Sequence, residues 1–538
     1  MRFSIRALAV SCLLVAATPP SGAAGVHPVT GEPLADDQTF AYQVSDPVGT
    51  LDPHRVDSVI QFDIVRDLFE GLFNEDQAGD LAPGVATGYE SNPDKTVFTF
   101  HLRPAARWSD GSPVVAQDFV YAWRRIADPA TQSPYAWFIE LTLLENMGAV
   151  RAGEKPPEAL GVVAVDDHTL EMRLSASLAY FPVLTTHPAT FPVSRAAIEA
   201  HGEGWTSPET IVSNGAYTLV ESGPERIVRT RNRNYWDDGH TIIDTVIAHV
   251  ADTSKAVELF NARQLDRFDI PPGEYPALHA RFPELAISIP RMCVYYYTFN
   301  LAESGPAALK DVNVRRALSL AVDRDALIET ELQGGQTPAF TFTPPTMANF
   351  AVPTGTYGQI TQEERNALAQ RLMAEAGFAA DNPLSLTLLY NTSDAHRRIA
   401  ETIAAMWRER LGVETAIENQ PWQTFLETRG TQKFDIARSG WCGDFNDPAT
   451  FLDLMRAGSG YNDGRFSNAG VDALLDSARR VDDRRGLYAG IEQILAEEMP
   501  VIPLYHYSAV YMFSPRIRNW PVENAEQAWY SRNLYKTP

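Results

Sequence analysis

The sequence predicts a secreted protein of the α/β class, folded into two or three interleaved lobes. Three observations carry that reading: a leader-like N-terminus, a change in element order after Cys293, and apolar periodicity spread along the chain with no linker to separate independent domains. Arg2 and Arg6 precede an apolar run from Ala7 to Ala17, then Pro19, Pro20 and the small residues Ser21 to Ala24. This is the pattern of a Sec signal peptide spanning 1–24. The run is shorter than the roughly 20 residues a membrane-spanning helix needs. Cleavage near Ala23 or Ala24 is therefore expected, leaving a mature chain outside the cytoplasm. Cys12 follows a faint lipoprotein-box pattern, but the apolar run continues past it, and it is read as discarded with the leader. The remaining length, about 514 residues, suffices for two or three lobes at roughly 100 to 200 residues each.

The elements justify the class in turn. Val97 to Leu102 alternates apolar and polar residues as a half-buried strand, and Trp108-Ser109-Asp110-Gly111 is a turn leading to a helix from about Ala116 to Ile126. Val162 to Leu174 reads as two strands across Asp166-Asp167-His168, so this part is α+β. After Cys293 comes the aromatic strand Tyr295-Tyr296-Tyr297. Val314, Leu318, Val322 and Leu327 then recur at nearly helical spacing, predicting a helix over Val314 to Glu331. Leu384 to Tyr390 is an apolar strand and Asn391 to Asp394 a turn. A helix follows from about Ala395 to Leu411, with Ile399, Ile403 and Met406 on one face, and Gly412 ends it. Val413 to Ile417 restores a strand and completes a βαβ unit.

Charge and motif content exclude several functions. The formal net charge of −23 becomes −25 without the two leader arginines, a surface that repels phosphate backbones and anionic lipid, so no nucleic-acid partner is expected. There is no G-x-S-x-G elbow, H-E-x-x-H helix or Walker loop, no histidine pair at ligand spacing, and Asn462-Asp463-Gly464 lacks the rest of a calcium loop. No enzyme, metal or cofactor is expected. A triad assembled in space leaves a secreted peptidase as the remote alternative. Cys293 and Cys442 remain after processing, and in an oxidising compartment they form either a disulfide, the commoner outcome, or two buried unlinked thiols.

The densest chemistry lies in Asp435 to Leu452, DIARSGWCGDFNDPATFL, where Arg438, Trp441, Cys442 and Asp444 crowd between two apolar segments. One reading is a structural Arg-Asp pair beside a core tryptophan. The other is a loop for a free peptide, whose amine needs an acid and whose carboxylate needs a base. His396, in the first turn after Asp394, sits where free N–H groups and the helix dipole favour an anion.

Longer stretches weigh between these readings: LDPH at Leu51 to His54, RDLFEGL at Arg66 to Leu72, LAPGVA at Leu81 to Ala86, FTFHLRPAARWSDGSPVVAQDFVYAW at Phe98 to Trp123, SNGAYTL at Ser213 to Leu219 and LLYNTSDAH at Leu388 to His396. In these the chain resembles the periplasmic oligopeptide-binding proteins of ABC importers, solute-binding protein family 5, along essentially its whole mature length. The resemblance implies a bilobed type II (cluster C) fold with two hinge crossings, near Pro290 to Cys293 and Tyr507 to Tyr511. It implies a lobe I of 25–69, 194–291 and 510–538, an extra α+β subdomain over 70–193, and a lobe II of 292–509. By the same resemblance Asp444 receives the peptide amine, and Arg438 and His396 the carboxylate. Ser439, Gly440, Trp441 and Cys442 offer main-chain groups, while Trp422, Tyr135 and Tyr507 line side-chain pockets. Leu332 stands where the family has a third, lysine, partner for the carboxylate, and Cys293–Cys442 matches the family disulfide. The implied function is a periplasmic receptor, monomeric, that takes up oligopeptides or murein peptides by hinge closure. It would deliver them to an inner-membrane permease with ATPase subunits. A non-peptide solute (nickel, haem or oligosaccharide) is the alternative within the family.

Overall fold

The structure, a computed structural model, describes residues 25–271, 273–353 and 357–538; the leader expected over 1–24 lies outside them. Its frame is an eleven-stranded sheet. In chain order the strands are β1 (Thr39–Val44), β2 (Tyr217–Ser222), β3 (Arg226–Arg231), β4 (Thr245–Val250), β5 (Arg267–Asp269), β6 (Ala286–Phe299), β7 (Thr337–Pro338), β8 (Ser385–Asn391), β9 (Glu414–Gln420), β10 (Ile436–Cys442) and β11 (Val501–Phe513). The spatial order is β9-β8-β10-β6-β11-β5-β1-β4-β3-β2, with β7 also on β11.

The two long strands β6 and β11 carry the sheet from one half of the molecule to the other. Met512 and its neighbours on β11 pair with β5, whereas Cys293 to Phe299 of β6 pair with β10. Between them the β6–β11 ladder slips in register from Pro290 to Val294, where Pro290 has no N–H to give. Beyond the slip, alternate side chains of β6 enter different cores. Met292, Val294 and Tyr296 join one cluster, while Tyr295, Tyr297 and Phe299 join another with Leu318, Leu388 and Trp407. The C-terminal segment returns to the first half, where the Lys536 ammonium pairs with Asp266 at 2.9 Å and Ser531 donates to Asp67.

A separate antiparallel sheet of four strands, Ala86–Ser91, Val97–Leu102, Thr169–Arg173 and Val162–Asp166, packs with the helix Ala116–Ala127, which buries Phe119, Val120, Trp123 and Ile126. This is the α+β region read from the sequence. The βαβ unit is also present: β8 and β9 are parallel, with Leu388 opposite Ile417, joined by the helix Asp394–Leu411. Ser393 caps that helix and Gly412 ends it at φ 69°.

One predicted helix is corrected. The periodic stretch from Val314 to Glu331 is broken into Val312–Leu320, Arg324–Leu327 and a π-helical turn Ile328–Leu332. Asp323 leaves the helical conformation and its carboxylate accepts from the Ala326 N–H, a new N-cap inside an otherwise continuous apolar pattern. No helix among the described residues is long and apolar enough to cross a membrane.

Candidate functional site

The site is built around β10. On one side this strand pairs with β6 from Phe299–Ile436 to Cys293–Cys442. On the other, only Ile436 and Ala437 meet β8. Among the described residues no strand covers Arg438 to Cys442 on that side, so their main chain forms an open edge.

Arg438 stands at the start of this edge. Its Nη1 donates to Asn391 Oδ1 at 3.3 Å, its guanidinium lies 4.9 Å from the centre of the Tyr295 ring, and its buried Nε has no hydrogen-bond partner among the described residues. Burial works against its charge, but Tyr295 and Tyr507 outweigh it and hold the guanidinium above its ordinary pKa. The Tyr295 hydroxyl also reaches His396 Nδ1 at 3.3 Å. Burial, aided by the Arg438 charge, pushes His396 down to about 4. His396 is thus neutral near pH 7 and offers a ring hydrogen bond, while Arg438 brings a fixed positive charge. Tyr507 completes the group, its ring 6.4 Å from Tyr295 and 5.0 Å from Tyr505. The sequence marked Tyr295 only as part of an aromatic strand. Its contacts with Arg438 and His396 come from the pairing of β6 with β10, which no local pattern encodes.

Asp444 lies past the other end of the edge. Cys293 and Cys442 are direct cross-strand partners with Cα atoms 4.0 Å apart, and their disulfide ties the end of β10 to β6. The Asp444 main-chain N–H then donates to Thr450 Oγ1 at 3.2 Å. Its carboxylate forms no ion pair among the described residues, and burial alone pushes it up to about 7. It faces a cavity of about 330 Å³. Tyr135 feels the Asp444 charge and is pushed up to about 12, by burial first and Asp444 second, while its ring stacks on His187 at 4.9 Å.

An Arg438–Asp444 ion pair, one of the two readings open from the sequence, does not form. The two groups stand at opposite ends of the open edge. Gly440 lies between them, and a Cβ there would sit 3.3 Å from Arg438 Nη2 and 3.8 Å from the Tyr507 hydroxyl, so glycine keeps that passage clear. Ser439 is buried, and Trp441 packs edge-on against Tyr461 at 5.2 Å. Trp422 opens the helix Trp422–Gly430, stacks on Phe425 at 5.9 Å and keeps 49% of its surface exposed. It is not drawn into contact with Arg438 or Asp444. Leu332 ends the π-helical turn at the margin of the core that holds Tyr295 and brings no charge to the cleft.

Comparison with known proteins decides the family. Residues 80–463 match the description "Bacterial extracellular solute-binding proteins, family 5 Middle". The chain belongs to family 5 of the bacterial extracellular solute-binding proteins. Within family 5 it is 39% identical over 536 residues to the periplasmic murein peptide-binding protein MppA of Escherichia coli, covering 98% of each chain. It is 39% identical over 537 residues to the periplasmic oligopeptide-binding protein OppA of Salmonella typhimurium, again covering 98% of each. The solved unliganded open form of MppA superposes with a TM-score of 0.89 over 94% of this chain and 98% of that one, at 38% identity. The fold is the bilobed type II fold of family 5.

Proposed function

We propose that this protein is a periplasmic receptor that captures short peptides between its lobes, delivers them to a membrane permease and performs no chemistry on them. One observation carries the reading: a half-buried acid, Asp444, and an arginine, Arg438, neither with an ion-pair partner among the described residues, stand at the two ends of an open strand edge. A free peptide brings an ammonium, a carboxylate and a main chain that can pair as an added strand. The names of MppA and OppA support the same reading.

In this account Asp444 receives the amine, Arg438 the carboxylate with His396 as a neutral donor, and Ser439 to Cys442 supply main-chain hydrogen bonds. Tyr135, Trp422 and Tyr507 border the side-chain spaces. Leu332, in place of a lysine, narrows the range of peptide lengths. The lobes are 25–69 with 194–291 and 510–538, carrying the subdomain 70–193, and 292–509. They close about β6 and β11. The chain is exported with cleavage near Ala23 or Ala24, acts as a monomer, and serves a permease driven by ATPase subunits.

Native mass spectrometry of protein purified from cells tests the proposal. Retained short peptides are expected in the wild type and not in Asp444→Ala. A bare protein that a sugar or metal ion stabilises against heat, while a peptide library does not, would overturn it.

A further inference from the structure

Tyr295 lies in the middle of the sheet, its main chain opposite Gly440 of β10 on one side and Tyr505 of β11 on the other, and the residue is fully buried. Its ring stacks on that of Tyr505 at 4.8 Å. Strand pairing on both sides and packing on the ring leave the hydroxyl little freedom. Two groups meet it there: Arg438 is hydrogen-bonded to it, and His396 Nδ1 lies 3.3 Å away. Burial holds the hydroxyl proton far above the ordinary tyrosine range, so at neutral pH the group is a phenol and not a phenolate.

The directions of these two bonds are not free. A guanidinium carries donors only, so the Tyr295 oxygen accepts from Arg438, whose positive charge also turns the hydroxyl hydrogen away from itself. The acceptor on the other side is His396 Nδ1. Nδ1 is therefore the bare nitrogen, and the neutral ring carries its hydrogen on Nε2. His396 is half-buried, and among the described residues no hydrogen-bond partner meets its Nε2. The tautomer matters to an anion, because a carboxylate can only accept. With the hydrogen on Nε2 the open nitrogen is a donor. With it on Nδ1 that nitrogen would present a lone pair and repel the carboxylate.

Resting on the peptide-receptor reading, we propose that Tyr295 is the positioning residue of the carboxylate end: its hydroxyl, oriented by Arg438, holds His396 as the Nε2–H tautomer, so that the ring donates to a peptide carboxylate while remaining neutral. One buried hydroxyl thereby aligns the charged donor and the neutral one. An amidated C-terminus, which brings hydrogens of its own, gains less from that arrangement.

Long-range proton–nitrogen NMR spectra of the full mature protein, labelled at histidine, test the tautomer without any ligand. The His396 signals are assigned by their loss in His396→Gln. Wild type should show a single tautomer protonated on Nε2, and Tyr295→Phe, which keeps the ring but not the hydroxyl, should show both. Calorimetric titration with trialanine to pentaalanine, each with a free and an amidated C-terminus, gives the second readout. At the length wild type binds most tightly, Tyr295→Phe should weaken the free acid about tenfold and the amide by less than about twofold. His396→Gln, which keeps an N–H at the far end of the side chain, should lose less than about threefold where His396→Ala loses about tenfold. The wild-type spectrum and these two His396 variants decide the matter if Tyr295→Phe does not fold. A wild-type His396 protonated on Nδ1, an unchanged single tautomer in Tyr295→Phe, equal losses for free and amidated peptides, or equal losses in His396→Gln and His396→Ala would overturn the assignment. If the tautomer is as expected but no peptide binds, it is the peptide-receptor reading that fails.

Discussion

Asp444 and Arg438 bound the same open edge, yet their surroundings are opposite in kind. Arg438 lies within β10, its guanidinium over Tyr295, hydrogen-bonded to Asn391 and sustained by Tyr507, so its charge persists. Asp444 lies beyond the disulfide at a cavity wall, its carboxylate forms no ion pair among the described residues, and burial alone pushes it up to about 7. One end is preorganised; the other is held in an unfavourable state that a ligand ammonium relieves. The difference assigns separate duties. On the proposed reading, the amine end sets affinity and pH dependence, and the carboxylate end sets orientation and reach.

This contrast can be broken from either side. Asp444→Asn keeps the shape but removes the charge, and should weaken free-amine tripeptides by about 100-fold in calorimetric titration. Arg438→Met should weaken them by about 30-fold, and the loss should vanish for peptides amidated at the C-terminus, since those bring no charge to Arg438. The third expectation concerns protons. Asp444 holds a proton below about 7 but must be ionised to receive an ammonium. Binding near pH 6 should therefore release a proton, and affinity should fall about tenfold per pH unit below 7, as read in buffers of different ionisation enthalpy. His396, at about 4, stays neutral throughout that window and adds no dependence. The sign carries into stability. Because the folded state holds the Asp444 proton more tightly than the unfolded chain, the empty protein should lose stability as pH rises from about 4 through 7. Asp444→Asn should flatten that slope. The smallest effect is expected from Gly440→Val, whose side chain would crowd Arg438 Nη2 and cost about threefold in affinity with little change in Tm.

What the sequence disclosed follows the range of the interactions involved. Val97 to Leu102, the helix at Ala116 and the βαβ unit around Asp394–Leu411 were legible because turns, caps and apolar spacing are local. The apolar spacing of Val314 to Glu331 hid the Asp323 cap, since a cap and a helix-interior aspartate look alike until the chain turns. Within the site, the composition of the β10 segment pointed to Arg438 and Asp444, but whether they pair with each other depends on strand length and on the disulfide. The neutral state of His396 depends on burial and on the Arg438 charge, and the contact with Tyr295 is brought in through strand pairing. The cavity at Asp444 joins side chains more than 300 residues apart, Leu141 with Tyr461, and no spacing rule reaches that far.

The central claim is that Asp444 reads the free amine. Calorimetric titration of wild type and Asp444→Asn with one tripeptide and its N-acetylated form tests it directly. Acetylation should cost the wild type about 100-fold and leave the weak binding of the variant unchanged. Equal binding of both forms by the wild type would contradict the account.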